Sequence, residues 1–170
     1  MSNPANNALP NKLTGPRDVG DAPLCPWDRL HIRIIAIGML NFLVYTLLYA
    51  ALGGDAHNGA RKIVQQADGT TRSAYFVRGH YIRSLLGRER EVSRTLWIYS
   101  YIHSISVLLT SGAMIISVLV FARPHIIATM RDGAVGGRTF VNVFGSIVVL
   151  ITSFAVILFV WNFIQQLGSG

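Results

Sequence analysis

Three long runs of apolar residues, separated by polar segments, dominate the chain. They extend over residues 31–52, 96–122 and 140–167. A helix needs about 20 residues to cross the hydrocarbon core of a bilayer, so each run is long enough to span it. The pattern predicts an all-α integral membrane protein with three transmembrane helices, at residues 30–53, 94–122 and 139–167.

The segment that precedes the first run is polar. Residues 1–29 are rich in Pro, Asn and Gly, which predicts a polar amino-terminal tail with no hydrophobic core of its own. A secretory signal has its apolar stretch directly after a short basic start. The first run stands too far from the amino terminus for that pattern, so we interpret it as a retained helix.

The first loop, residues 54–93, is too long for a plain turn. In "KIVQQADGTTRSAYFV" two β-prone stretches flank Asp68 and Gly69, which predicts an extramembrane hairpin at about residues 62–77 with a two-residue turn. Because an isolated hairpin is marginally stable, we expect it to pack on the tail, the helix ends or another subunit. The loop then mixes apolar residues with arginines, which indicates an interfacial segment. Further on, Pro124 predicts a short second loop over residues 123–138.

Composition and charge support a membrane protein and limit its partners. The chain is 51% hydrophobic and 14% charged, with a formal charge of +7. The basic excess lies between the apolar runs, which favours anionic lipid headgroups as partners and gives no support to nucleic acid. Basic residues divide almost equally between the two sides; since long loops count for less, the positive-inside rule favours a cytoplasmic amino terminus. A lone cysteine, Cys25, excludes an intrachain disulfide.

Each apolar run carries a stripe of small or polar residues on one face of the predicted helix. Such stripes let membrane helices approach closely and hydrogen-bond to each other. No Asp, Glu or Lys lies in the central part of any run, which argues against a proton relay or a coupled transporter. The predicted helix-packing residues are Gly38, Asn41, Tyr45, Ser106, Thr110, Asn142, Gly145, Ser146 and Ser153.

His103, in "WIYSYIHSISVLL", is the candidate for cofactor chemistry, because an ionisable residue inside a membrane helix is often functional. A haem between two histidines of this chain is not expected, since His31 lies about 20 Å away along the helix axis. The cofactor hypothesis is a single axial ligand to a chlorophyll-type or haem tetrapyrrole, with Tyr99, Ser106 and Met114 lining the pocket. A ligand pair completed by another subunit is the other form of that hypothesis. The simpler interpretation is an interhelical hydrogen bond from His103.

The first loop contains residue types that could bind a metal or serve acid–base chemistry, namely Asp55, His57, His80, Glu89 and Glu91. Their spacing matches no ligand motif, so we interpret them as solvated loop residues. The chain also lacks phosphate-binding and nucleophile motifs. We therefore predict a non-catalytic accessory subunit of a larger membrane complex, docked to other membrane subunits through its polar stripes and requiring no cofactor. The alternatives are a tetrapyrrole-binding subunit of an electron-transfer or light-harvesting complex and, with least support, a membrane enzyme that uses the loop residues.

Overall fold

The computed structural model describes residues 25–81, 87–131 and 135–168. Within them the chain forms helix α1 (Pro26–Leu52), strands β1 (Asp55–Gln65), β2 (Thr71–Arg78) and β3 (Glu89–Val92), helix α2 (Arg94–Thr129) and helix α3 (Gly137–Gly168). All three helices are long and apolar enough to cross a membrane. The prediction of a mostly helical protein with three such helices is confirmed, and the small hairpin predicted in the first loop is extended by a third strand.

Helix α2 lies in the middle, with α1 packed on one side and α3 on the other. Glycines allow both contacts. A Cβ atom on Gly38 of α1 would lie 2.6 Å from Sδ of Met114, and one on Gly112 of α2 would lie 2.6 Å from Oγ1 of Thr152. Since real Cβ atoms do not approach other atoms so closely, a larger residue at Gly112 would push α2 and α3 apart, and one at Gly38 would displace the Met114 side chain from the contact between α1 and α2.

All three helices extend beyond the predicted limits, α3 by two residues at its start and one at its end. Helix α1 begins at Pro26, because proline has no amide hydrogen and is favoured in the first turn. The last residues of the predicted tail are therefore helical, and residues 1–24 lie outside the described residues. Helix α2 continues through Pro124 to Thr129, seven residues beyond its predicted end. Proline cannot donate the backbone hydrogen bond to the carbonyl four residues earlier, but the helix continues through Pro124 here.

The first loop forms a three-stranded antiparallel sheet in the order β1-β2-β3. Strands β1 and β2 are the predicted hairpin, but the two-residue turn is wrong. Residues 66–70 connect the strands, and the Gln66 amide donates to the Thr70 carbonyl at 2.7 Å. Gly69 has φ 83°, as expected for the left-handed residue that closes a longer hairpin loop.

Strand β3 occupies part of the region where the sequence suggested an interfacial segment. Glu89 pairs with Lys62 of β1, and Glu91 pairs with Arg72 of β2, so opposite charges lie across the sheet. These ion pairs across the sheet favour a strand over a segment that lies in the headgroup region. Residues 82–86 of the expected interfacial segment lie outside the described residues.

An aromatic cluster anchors the inner face of the sheet to the helix ends. Trp97 and Tyr101 of α2 are completely buried, and Tyr75 of β2 lies against Trp97 with ring centroids 5.5 Å apart. Phe163 of α3 completes the cluster, 4.9 Å from the Tyr101 ring. Within the part of the chain that the structure describes, the hairpin packs on the helix ends, which is one of the three surfaces expected.

A two-glycine turn leads from α1 directly into β1. Gly53 caps the helix in the left-handed region with φ 81°, and the amides of Gly53 and Gly54 both donate to the Tyr49 carbonyl at 3.0 Å. A side chain on Gly54 would collide with the Arg78 backbone of β2. The turn therefore places Asp55 and His57, the first residues of β1, under the sheet against the helices.

Candidate functional site

Asn41 of α1 is the centre of a hydrogen-bond network between α1 and α2. Its amide nitrogen donates to Oγ of Ser106 at 3.2 Å and to Oγ1 of Thr110 at 3.0 Å. Both hydroxyls donate in turn to carbonyls of their own helix, that of His103 for Ser106 and that of Ser106 for Thr110. The hydroxyls therefore accept from Asn41, and its oxygen Oδ1 is the atom that faces His103.

His103 is held by this network in one orientation. Its Nε2 lies 3.1 Å from Oδ1 of Asn41, so Nε2 carries the hydrogen and donates it. The rings of Tyr45 and Tyr99 lie edge-on to the imidazole, with centroids at 5.8 and 5.7 Å. The free lone pair is on Nδ1, which is buried and has no partner among the described residues.

This geometry bears on the tetrapyrrole hypothesis. A metal needs an unprotonated imidazole nitrogen, and here that atom is the buried Nδ1 of His103. Ligation would require either Nδ1 to be uncovered or Asn41 to release Nε2. The predicted pocket residues are also spread out, because Met114 lies 11 residues beyond His103, which is about 16 Å along a helix. Axial ligation by His103 stays a prediction, one that would require rearrangement of the network.

His31 is far from His103, in agreement with the expected difference in depth. Its Nδ1 lies 3.2 Å from Oγ of Ser117. Ser117 follows His103 by 14 residues, which corresponds to about 21 Å along α2. The two histidines therefore cannot hold one iron.

Of the predicted packing residues of α3, one lies against α2 and three are exposed. Gly145 lies against α2, where a Cβ atom would be 3.4 Å from Leu119. Asn142, Ser146 and Ser153 are exposed. Asn142 and Ser146 line a groove of about 650 Å³ along α2 and α3, and neither side chain has a hydrogen-bond partner among the described residues.

A cavity of about 520 Å³ lies where the three helices meet the first residues of β1. We call it the roof cavity, because Asp55 and His57 cover it at the sheet end. Its walls carry aromatic residues and small polar residues of the helices. The lining residues are Phe42, Tyr45, Thr46, Tyr49, Asp55, His57, Tyr81, Ser104, Val107, Leu108, Ser111 and Phe159.

Asp55 is the buried acid of the roof cavity, with 3% of its surface exposed. Its Oδ2 accepts from the Tyr45 hydroxyl at 2.7 Å and its Oδ1 accepts from the backbone amide of Asn58 at 3.1 Å. Among the described residues, the two ion pairs are Lys62–Glu89 and Arg72–Glu91, so Asp55 has no basic side chain in contact. A buried carboxylate is costly without a compensating charge.

His57 lies beside Asp55 on the same side of the strand. Its ring stacks on Phe159 of α3 with centroids 3.6 Å apart, and its Nδ1 lies 3.2 Å from the Tyr101 hydroxyl. Burial lowers the pKa of His57, an effect that the Asp55 charge partly opposes. Burial and the Asp55 charge together raise the pKa of Tyr81. His57 is thus favoured in its neutral form.

The structure divides the loop residues that the sequence analysis grouped together. Asp55 and His57 line the roof cavity, so their interpretation as solvated loop residues is wrong. His80 is exposed; its backbone amide, like that of Tyr81, donates to the Tyr49 hydroxyl. Glu89 and Glu91 lie in the ion pairs of the sheet, and the hydrogen bonds that they accept from Lys62 and Arg72 lower their pKa values. Within the described residues no three acidic, histidine or cysteine side chains form a group that could hold a metal ion.

Sequence reasoning missed the roof cavity because it interpreted Asp55 and His57, in "GGDAHNG", as solvated loop residues. The feature of the sequence that could have indicated the cavity is the high proportion of small residues in this stretch. Gly54 and Ala56 are buried, and a side chain on Gly59 would collide with Phe76 of β2. Such residues let backbones approach closely and so bring an adjacent acid into the interior.

Comparison of the chain with protein-family models, with curated proteins and with solved structures gives no match.

Proposed function

We propose that the chain is an integral membrane protein and that α1, α2 and α3 span the bilayer. Large apolar side chains are exposed along the helices, among them Leu40, Leu150 and Ile157 at 61, 69 and 64%. Contiguous apolar surface of this extent is unfavourable in water and is satisfied by lipid chains. Exposed arginines at the helix ends, such as Arg33 and Arg131, suit contact with anionic headgroups.

Within the membrane, the role that the geometry supports best is that of a non-catalytic accessory subunit. The observation that carries this proposal is the α2–α3 groove. Gly145 leaves space in it, and Asn142 and Ser146 expose polar groups without partners among the described residues. In a bilayer such groups favour a neighbouring helix that offers hydrogen bonds and close backbone contact. A transmembrane helix of another subunit is the occupant that we propose.

Purification in mild detergent tests the accessory role. The tagged chain is expressed in its native host, and the recovered complex is analysed by mass spectrometry for membrane proteins in stoichiometric amount. Gly145→Leu fills the groove and is expected to remove the partner, whereas Val143→Leu, at an exposed position about 160° away around the helix, is expected to retain it. Equal recovery with both variants, or a monodisperse monomer from the native host, would contradict the proposal.

The lone cysteine offers a test of insertion and orientation. Cys25 is exposed at the start of α1, at the end of the helices opposite to the sheet. If the amino terminus is cytoplasmic, a membrane-impermeant maleimide labels Cys25 only after the cells are permeabilised. A cysteine introduced at Ser73 on the sheet, in a Cys25→Ser background, is expected to label in intact cells. The opposite pattern would reverse the orientation, and labelling of both sites in intact cells would contradict three spans.

The tetrapyrrole alternative makes a separate prediction. A purified protein with tetrapyrrole absorption bands that vanish in His103→Ala would overturn the cofactor-free role. The described geometry favours the accessory role instead, since Nε2 of His103 is engaged by Asn41 and Nδ1 is buried.

A further inference from the structure

We propose that the roof cavity binds an amphipathic amine, a molecule with an apolar chain and a protonated or quaternary ammonium group. The ammonium group would lie at Asp55 and the chain between the three helices. This inference does not require the accessory role or its partner. It rests on the charge, the aromatic lining and the shape of the cavity.

The buried charge of Asp55 favours a cationic ligand. Asp55 is buried with hydrogen bonds from Tyr45 and Asn58, which occupy two acceptor positions of a carboxylate that offers about four. No basic side chain of the described residues contacts it, and burial favours the neutral form of His57. A bound cation would compensate the buried negative charge, whereas an anionic ligand would be repelled.

The aromatic lining of the roof cavity favours an ammonium group. The rings of Tyr45, Tyr49 and Tyr81 lie on the side of α1, where Tyr49 is 6.0 Å from Tyr45 and 5.5 Å from Tyr81 between ring centroids. Phe159 and the stacked His57 ring lie on the side of α3. Aromatic faces around a carboxylate are a favourable environment for an ammonium ion, and most of all for a quaternary one. A metal ion would instead need several oxygen or nitrogen ligands, and the described residues offer no such group.

The shape of the cavity specifies the rest of the ligand. Away from Asp55 the lining becomes apolar, with Phe42, Val107 and Leu108. A second cavity of about 280 Å³ lies further along the same three helices, between Ile34, Gly112 and Thr152. The space therefore suits an alkyl chain that runs along α2 away from a polar head.

Thermal unfolding of the full chain in a nonionic maltoside detergent tests the proposal. Dodecyltrimethylammonium and dodecylamine are titrated, with dodecanol and dodecanoate at the same mole fraction as controls. We expect a saturable rise in melting temperature with the two amines and none with the controls. The chain carries a formal charge of +7, so non-specific attraction would favour dodecanoate and cannot mimic this result.

Two variants assign the effect to the cavity. Asp55→Asn keeps the acceptor oxygen for Tyr45 and removes the charge, and it is expected to weaken apparent amine binding about tenfold or more. Asp28→Asn, which removes the same charge from the first turn of α1, is expected to bind like the unaltered chain. Ser111→Leu fills the apolar part without touching Asp55 and is expected to reduce the saturable shift even if Asp55→Asn folds poorly.

Three results would overturn the proposal. Equal stabilisation by dodecanol and the amines would show that the cavity holds a neutral chain. An unchanged amine effect in Asp55→Asn would show that the carboxylate does not recognise the head. Absence of a saturable shift with either amine would show that neither is a ligand. None of these results bears on the α2–α3 groove, so failure here is distinct from failure of the accessory role.

Discussion

Replacement of Asn41 by leucine tests whether the polar network stabilises the contact between α1 and α2. The change removes three hydrogen bonds between the helices, those to His103, Ser106 and Thr110. The two hydroxyls keep their bonds to backbone carbonyls, so Nε2 of His103 is the one donor left unpaired. Hydrogen bonds between membrane helices contribute about 0.6 kcal/mol each, which gives a loss of about 2 kcal/mol for the three.

The measurement is thermal unfolding of the purified protein in detergent. For a chain of this size a loss of about 2 kcal/mol corresponds to a decrease of about 4–8 °C in melting temperature. Asn142→Leu is the matched control, because Asn142 is exposed on α3 and has no partner among the described residues. If the two variants melt within about 1 °C of each other, the Asn41 network does not stabilise the contact between α1 and α2.

Three further predictions concern the sheet and its anchor. Burial lowers the pKa of His57 from its ordinary value of 6.5, so the unfolded chain takes up the proton first as the pH falls. The contribution of neutral His57 to stability is complete above about pH 6.5 and decreases below that value. Melting curves of His57→Phe from about pH 5 to 8 should lack this decrease in melting temperature. Trp97→Ala empties the aromatic cluster and should cost about 3–5 kcal/mol in unfolding free energy, whereas Trp161→Ala at an exposed position should cost little; equal losses would contradict the assigned core. Arg72→Ala breaks an exposed ion pair with Glu91 and should leave the melting temperature unchanged, and a large decrease would show that the sheet depends on its surface charges.

The long elements of the fold were predictable from the sequence because length and hydropathy alone define a membrane helix. The hairpin was predictable because Asp68 and Gly69 mark a turn between β-prone segments. Strand β3 was not predictable in this way, since its four residues, Glu89–Val92, are mostly charged and become a strand through their pairing with β2. Local propensity carries little information about a strand that depends on tertiary pairing.

The candidate sites were predictable to different degrees for a related reason. The Asn41 network joins helices whose polar positions follow the helical period, so periodicity alone placed Asn41 on the stripe of one helix and Ser106 and Thr110 on the stripe of another. The structure shows that these two stripes face each other. The roof cavity joins β1 to helices that are remote along the chain, with Phe159 more than 100 residues away from His57. No periodic pattern within one segment indicates that these residues lie close together. Their proximity is seen only in the folded chain.

The Asn41 network and the roof cavity also differ in the polar groups that remain available to a ligand. This difference favours a ligand at the roof cavity over a ligand at His103. Asn41 is satisfied by protein: both amide hydrogens reach hydroxyls of α2, and its oxygen accepts from His103. Such a closed network orders the helices and offers little to a ligand. Asp55 accepts from Tyr45 and Asn58, retains acceptor capacity and negative charge, and faces a cavity. A buried charge kept at this cost, beside space that protein does not fill, is more readily explained by a ligand than by folding alone.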